Sequence, residues 1–86
     1  MRVFIPTPLY SYTDGRSQVD ASGATVDEVL RDLDRQFPGI RFRMVDEQDR
    51  LRVHMRIFVN QELAAGLGQP LAPGDEVEII QALSGG

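Results

Sequence analysis

Cysteine and lysine are both missing from this 86-residue chain, and histidine occurs once, at position 54. Without cysteine there is no disulfide, no thiolate metal site and no cysteine nucleophile; the absence is neutral about compartment. Without lysine, all nine basic residues are arginine, and the chain offers no ε-amino group on which to build isopeptide chains of itself. His54 sits between Arg52 and Arg56 with no acids at ligand spacing, so it reads as a strand-rim residue rather than a catalyst or ligand. Long hydrophobic runs are missing too. The opening Met1-Arg2-Val3-Phe4-Ile5-Pro6 turns polar too soon for a secretory signal, and nothing reaches the length of a membrane span. Cytoplasmic residence, with no membrane partner, is the expectation.

The motifs of a self-sufficient enzyme are equally scarce. Ser11, Ser17, Ser22 and Ser84 stand in no nucleophile elbow. Asp46, Glu47 and Asp49 lack the spacing and closing glutamate of a calcium loop. Gly66 and Gly68 have no third glycine opening a helix after a strand. No catalysis by this chain alone, no bound cofactor and no metal site are therefore expected. The formal net charge is −4, thirteen acidic residues against nine basic, which disfavours nucleic acid as a main partner. Arg41-Phe42-Arg43 and Arg50-Leu51-Arg52 read mainly as a solvated face or as partner-docking charges, with local binding of phosphate or carboxylate a lesser reading.

Hydrophobic residues make up 42% of the chain and charged ones 26%, ordinary proportions for one small soluble domain. Arg2 to Ile5 predicts a strand stopped by Pro6 and Pro8. Thr7 to Arg16 predicts a turn or short loop, with Tyr10 and Tyr12 at the core edge. Ser17 to Ala21 predicts a second, antiparallel strand. Thr25-Val26-Asp27-Glu28 has the form of a capping box with two acids at the positive end of a helix. Val26, Val29, Leu30, Leu33 and Phe37 then recur at helical spacing, and Pro38-Gly39 ends the pattern. Ile40 to Val45 fits either a short second helix or an irregular apolar strip, and Asp46 to Asp49 an acidic loop. His54 to Val59 is strand-like and ends at the turn-like Asn60-Gln61-Glu62. Leu63 to Ala72 reads mostly as loop with room for one short strand. Ala72-Pro73-Gly74-Asp75 marks a turn before the strand Glu76 to Ile80.

This order predicts an α+β domain over residues 1–82: a mixed sheet of four to five strands with one main helix across one face. With the first and last strands side by side in the centre and parallel, the topology is the β-grasp, or ubiquitin-like, fold. Residues 83–86, Leu83-Ser84-Gly85-Gly86, are expected to form a flexible C-terminal tail. A loosely held terminus is the bland reading. The sharper one is that glycine lets a narrow channel close around the main chain. Four extended residues reach roughly 13–14 Å, enough to carry a carboxylate into a pocket of another protein.

The segment Gly74 to Gly86, the strand Arg56-Ile57-Phe58-Val59-Asn60 and the helix capped by Thr25 together resemble the MoaD/ThiS family of sulfur carriers over nearly the whole chain. The terminal Gly85-Gly86 is the chemically specific part. Gln81 stands where proline is frequent in that family and Ser84 where alanine is frequent, departures that bear on the choice of partner. The resemblance implies that an ATP-dependent adenylyltransferase of the MoeB/ThiF type activates the carboxylate of Gly86. A sulfur donor would then convert it to a thiocarboxylate. A biosynthetic enzyme resembling MoaE (the molybdopterin synthase large subunit), thiazole synthase or a cysteine synthase, or another sulfur-inserting enzyme, would take the sulfur. ATP and the sulfur donor belong to those partners.

Gly85, Ser84 and Leu83 are expected to thread the partner's active site. Phe58, Leu63, Ile80 and Ala82 are expected to form an apolar docking patch on the sheet face left bare by the helix: if Val77 and Ile79 point inward, alternation turns Ile80 and Ala82 the other way. Two rival readings stand beside this one: a protein modifier of the same fold, joining target lysines, and a binding-only module whose glycines are a loose end.

Overall fold

The computed structural model describes residues 1–82. Its elements begin with α1, Val26–Gln36, because the reasons for that helix are the most local. Thr25 has an extended backbone, and its hydroxyl accepts the Glu28 N–H at 3.2 Å. Glu28 does not complete the box on Thr25; its carboxylate accepts the Ala24 N–H, one residue earlier, at 2.9 Å. The 67–71 segment crosses this end of the helix, and the Leu67 and Gln69 carbonyls accept the N–H groups of Asp27 and Val26 at 2.8 and 3.0 Å, satisfying the orphan donors of the first turn. Val26, Val29, Leu30 and Leu33 are fully buried, as their spacing requires. Phe37 lies just past the helix as its C-cap and packs against the core partly exposed.

Gly39 turns the chain with a φ of 96°, a conformation that suits glycine. A second helix follows, α2, Ile40–Met44, so the helical alternative for this stretch is the one realised. Asp34 accepts the N–H groups of Gly39 and Arg41, both at 3.1 Å. Arg41 also donates to Asp27 at 2.8 Å and so ties α2 to α1. Ile40 and Met44 are fully buried.

The sheet consists of β1 (Arg2–Phe4), β2 (Gln18–Asp20), β3 (Met55–Val59), β4 (Glu62–Leu63) and β5 (Glu76–Gln81) in the order β2-β1-β5-β3-β4. β1 and β5 are parallel, with Val3 opposite Val77, and every other pairing is antiparallel. This is the β-grasp arrangement expected from the order of elements. The expectation that Thr7 to Arg16 is a turn or short loop is corrected in part. Residues Thr7–Tyr12 form a 3-10 helix. Pro8 in its first turn presets the backbone, and Leu9 is driven into the core. Tyr10 and Tyr12 pack at the core edge, as expected. The β3–β4 connection is a two-residue turn in which Asn60 and Gln61 both have positive φ, 50° and 72°, the geometry that matches strand twist.

Alternation now sorts the sheet. Val3, Val19, Met55, Ile57, Val59, Val77 and Ile79 point to the helices and are buried. The residues between them face away. Burying this layer is the main stabilising term, about 1.5–3 kcal/mol for each large apolar side chain.

Candidate functional site

β5 is the element that positions the site. It lies between β1 and β3, and its alternating burial leaves Glu76, Glu78 and Ile80 on the face that no helix covers. Register then assembles a row across that face. Phe4 lies opposite Glu78 on one side, Phe58 lies opposite Glu78 on the other, and Leu63 lies opposite Phe58. At one strand spacing per step, Phe4 and Phe58 stand roughly 10 Å apart with Glu78 between them. Arg56 and Ile80 form the next row, and Arg2 pairs with Glu76 at 3.4 Å at the other end.

The expected patch is therefore brought together in part. Phe58 is half-buried on the open face, Leu63 is 61% exposed and Ile80 is 37% exposed. The inward-facing pair Val77 and Ile79 that this required is fully buried. Ala82 is exposed one residue beyond β5, and its N–H donates to the His54 carbonyl at 2.7 Å. Leu83, Ser84, Gly85 and Gly86 lie outside the described residues. Phe4 is the surface residue that reading the sequence missed. Its signal was present: Val3 and Ile5 on either side are both buried, so period-two alternation puts Phe4 outward.

The electrostatics of the open face are mixed, with Arg2, Arg56, Glu76 and Glu78 around the aromatic pair. At the turn that leads into β5, Asn60 holds the strand start. Its side-chain oxygen accepts the Glu76 N–H at 3.0 Å, and its amide donates to Asp75 at 2.9 Å. The Asp75 carboxylate also accepts the Ala72 N–H at 2.8 Å, and this bond, with that from Asn60, holds its pKa below the ordinary value. Among the described residues no group of three or more His, Cys, Asp or Glu side chains is placed to hold a metal. No helix there is long and apolar enough to cross a membrane. The geometry offers a surface and a strand end rather than an enclosed catalytic centre.

Comparison with known proteins now decides the family. The family model described as "ThiS family" matches residues 3–86. The chain belongs to the ThiS family of sulfur carriers. The sulfur carrier protein CysO of Mycobacterium tuberculosis is 38% identical over 89 residues, covering 98% of this chain and 96% of the relative. A chain of the crystal structure of the BexX/CysO complex from Amycolatopsis orientalis superposes with a TM-score of 0.91 at 36% identity, covering 99% of this chain and 98% of that one. Small archaeal modifier protein 1 of Haloferax volcanii is 36% identical over 70 residues, covering 80% of this chain and 79% of the relative. The ThiS match runs in sequence through Gly85 and Gly86. The curated relatives are a sulfur carrier and a modifier by name, and this chain shares its fold with the solved structures of such proteins.

Proposed function

We propose that this chain carries sulfur as a thiocarboxylate on Gly86, formed after ATP-dependent adenylation of that residue's carboxyl group. The observation that supports this most is that the family match runs through Gly85 to Gly86. A terminal carboxylate has an ordinary pKa of about 3.3–3.7, so it is ionised near neutrality and is a poor electrophile. Activation removes that obstacle. A Gly86 carboxylate oxygen attacks the α-phosphorus of ATP and pyrophosphate leaves. A sulfide equivalent then attacks the acyl carbon, AMP leaves, and one carboxyl oxygen has been replaced by sulfur.

An adenylyltransferase of the MoeB/ThiF type supplies the ATP chemistry. A sulfur-inserting biosynthetic enzyme accepts the product, and the existence of a BexX/CysO complex for a similar protein favours a dedicated acceptor. The carrier's own contribution is an address and a tethered reactant at high effective concentration. The address is the row Phe4, Phe58 and Leu63 with Ile80 beside it, and Ala82 leads from it to Leu83, Ser84 and Gly85, which thread the partner's active site.

Intact mass after incubation with ATP, the activating enzyme and sulfide tests the reading. A gain of about 16 Da, oxygen exchanged for sulfur, is expected on the full chain and is abolished by deleting Gly86. A chain that never takes AMP or sulfur on Gly86 sinks the proposal. The similarity to an archaeal modifier favours a second reading, in which the same activated glycine joins a target's amino group. High-mass adducts in cells, lost with Gly86 and independent of sulfide, would support it. A binding-only module would keep its partner affinity and its role without Gly86.

A further inference from the structure

Five of the arginines are matched to carboxylates: Arg2, Arg31, Arg35, Arg41 and Arg50, at 2.7 to 3.8 Å. Among the described residues, Arg16, Arg43, Arg52 and Arg56 have no such partner. Three of these four come from the short stretch 43–56, although the chain as a whole carries an excess of acid. Arg43 and Arg52 line one open cavity of about 380 Å³ with Phe42, His54, Met55 and Gln81.

The surface is held in place. The Arg52 Nε donates to the Phe42 carbonyl at 2.8 Å, and its guanidinium carbon stands 4.7 Å from the centroid of the Phe42 ring. That stacking leaves the terminal amino groups of Arg52 with no partner among the described residues. Phe42 itself is 56% exposed, an aromatic kept outside the core as the floor under a cation. The nearby acid, Asp46, is already engaged. Its carboxylate accepts the Arg50 and Gln48 N–H groups at 3.0 and 2.9 Å and faces the Arg50 guanidinium. Arg56 spends one amino group on the Val53 and Met55 carbonyls.

The place of this shelf in the fold gives it meaning. Gln81, the last residue of β5, lines the cavity, and Ala82 is bonded to the His54 carbonyl beside it. The shelf therefore flanks the point from which residues 83–86 depart. We infer that Phe42, Arg43 and Arg52 dock against carboxylate side chains at the mouth of the activating enzyme's pocket, an inference that rests on the carrier reading above. Charge complementarity selects the occupant: fork-shaped guanidiniums match carboxylates with two parallel hydrogen bonds. A long polyanion would meet the repulsion of a chain with thirteen acids against nine basic residues. An aromatic next to free arginines is also the composition of an interface anchor.

The test uses the full chain and the activating enzyme encoded in the same genome, reading initial rates of Gly86 charging by intact mass against carrier concentration. Arg43→Glu is expected to raise KM about ten-fold or more with kcat within about two-fold, because it acts on encounter and docking. Arg52→Gln, which removes the guanidinium over Phe42 but stays polar, should raise KM in the same direction. Added NaCl should raise the wild-type KM steeply and that of the Arg43→Glu/Arg52→Gln double variant much less. Arg16→Glu and Arg35→Glu should leave KM unchanged. A wild-type KM and salt response in Arg43→Glu would overturn the shelf. Calorimetric titration of the same enzyme with a chain lacking Gly86 separates docking from chemistry. Weaker binding by Arg43→Glu in that background supports the shelf whatever becomes of the acyl transfer, and equal binding overturns it. Failure of the carrier reading shows elsewhere, as a wild-type chain that gains no mass.

Discussion

The Ala82 N–H donates to the His54 carbonyl at 2.7 Å, so the chain stays tied to the sheet for one residue beyond β5. Under the carrier reading, the reach of Gly86 is counted from that bond, and four residues span at most about 13–14 Å. Deleting Ser84 shortens the reach by about 3.3–3.6 Å. The rate constant for adenylation should fall by about 100-fold, since a misplacement of an ångström already costs that much, while the thermal midpoint stays unchanged. Single-turnover charging followed by mass spectrometry measures it; a deletion variant charged at the wild-type rate would mean that the tail has slack.

Leu63→Asp and Phe4→Asp place a charge in the row that Phe58 completes. Leu63 is 61% exposed, so its substitution should shift the thermal midpoint by less than about 2 °C. Affinity for the activating enzyme should drop about ten-fold or more, as for a central apolar contact. Leu83→Asp on the tail should abolish charging with thermal unfolding likewise unchanged. Loss of stability in step with loss of binding would show the row to be a structural surface only.

Asn60 combines a positive φ of 50° with two side-chain bonds, to Glu76 and Asp75. Asn60→Ala removes both bonds and keeps the unfavourable backbone, so it should destabilise by about 1–3 kcal/mol in urea unfolding. Asn60→Gly loses the same two bonds but relieves the backbone, so it should cost less. Equal losses for the two would mean that strain at this turn is negligible.

Several carboxyls are held below their ordinary pKa. For Asp32 the first cause is the Ser22 N–H, then Arg35; for Asp46 it is the Arg50 N–H; for Asp75 it is the Ala72 N–H. For Asp27, burial pushes upward but the bonds from Arg31 and Arg41 outweigh it. A folded-state pKa below the unfolded value contributes stability that is fully present above about pH 3.9 and is lost as pH falls through the folded value. The thermal midpoint should stay level from pH 7 to 5 and decline below about pH 4. Asp32→Asn should be less stable than wild type at pH 6, and the gap should close toward about pH 2. Calorimetry across that range decides, and a midpoint that climbs on acidification would refute the assignment.

Helix α1 was legible because its causes are local: the Thr25 cap, the apolar spacing from Val26 to Leu33 and the Pro38-Gly39 stop. β5 was legible from alternation after the Pro73-Gly74 turn, and the outward aim of Ile80 followed from it. The 3-10 helix at Thr7–Tyr12 was not, because its prolines and polar residues are as common in loops, and only the burial of Leu9 against the core selects the helical turns. The capping of Val26 and Asp27 was hidden for a similar reason, since the carbonyls that accept their N–H groups come from residues 69 and 67, some forty positions away.

The sequence by itself determined most of the elements and the inward and outward faces of the strands, because periodicity, caps and turn residues act over a few neighbours. Tertiary structure alone decided which surfaces exist. Phe4, Glu78, Phe58 and Leu63 become one row only when β1, β5, β3 and β4 pair in register. Phe42, Arg43, Arg52 and His54 become one shelf only when α2 packs beside the start of β3. Hydrogen-bonded register and core packing join positions far apart in the chain, and no local pattern encodes that partnership.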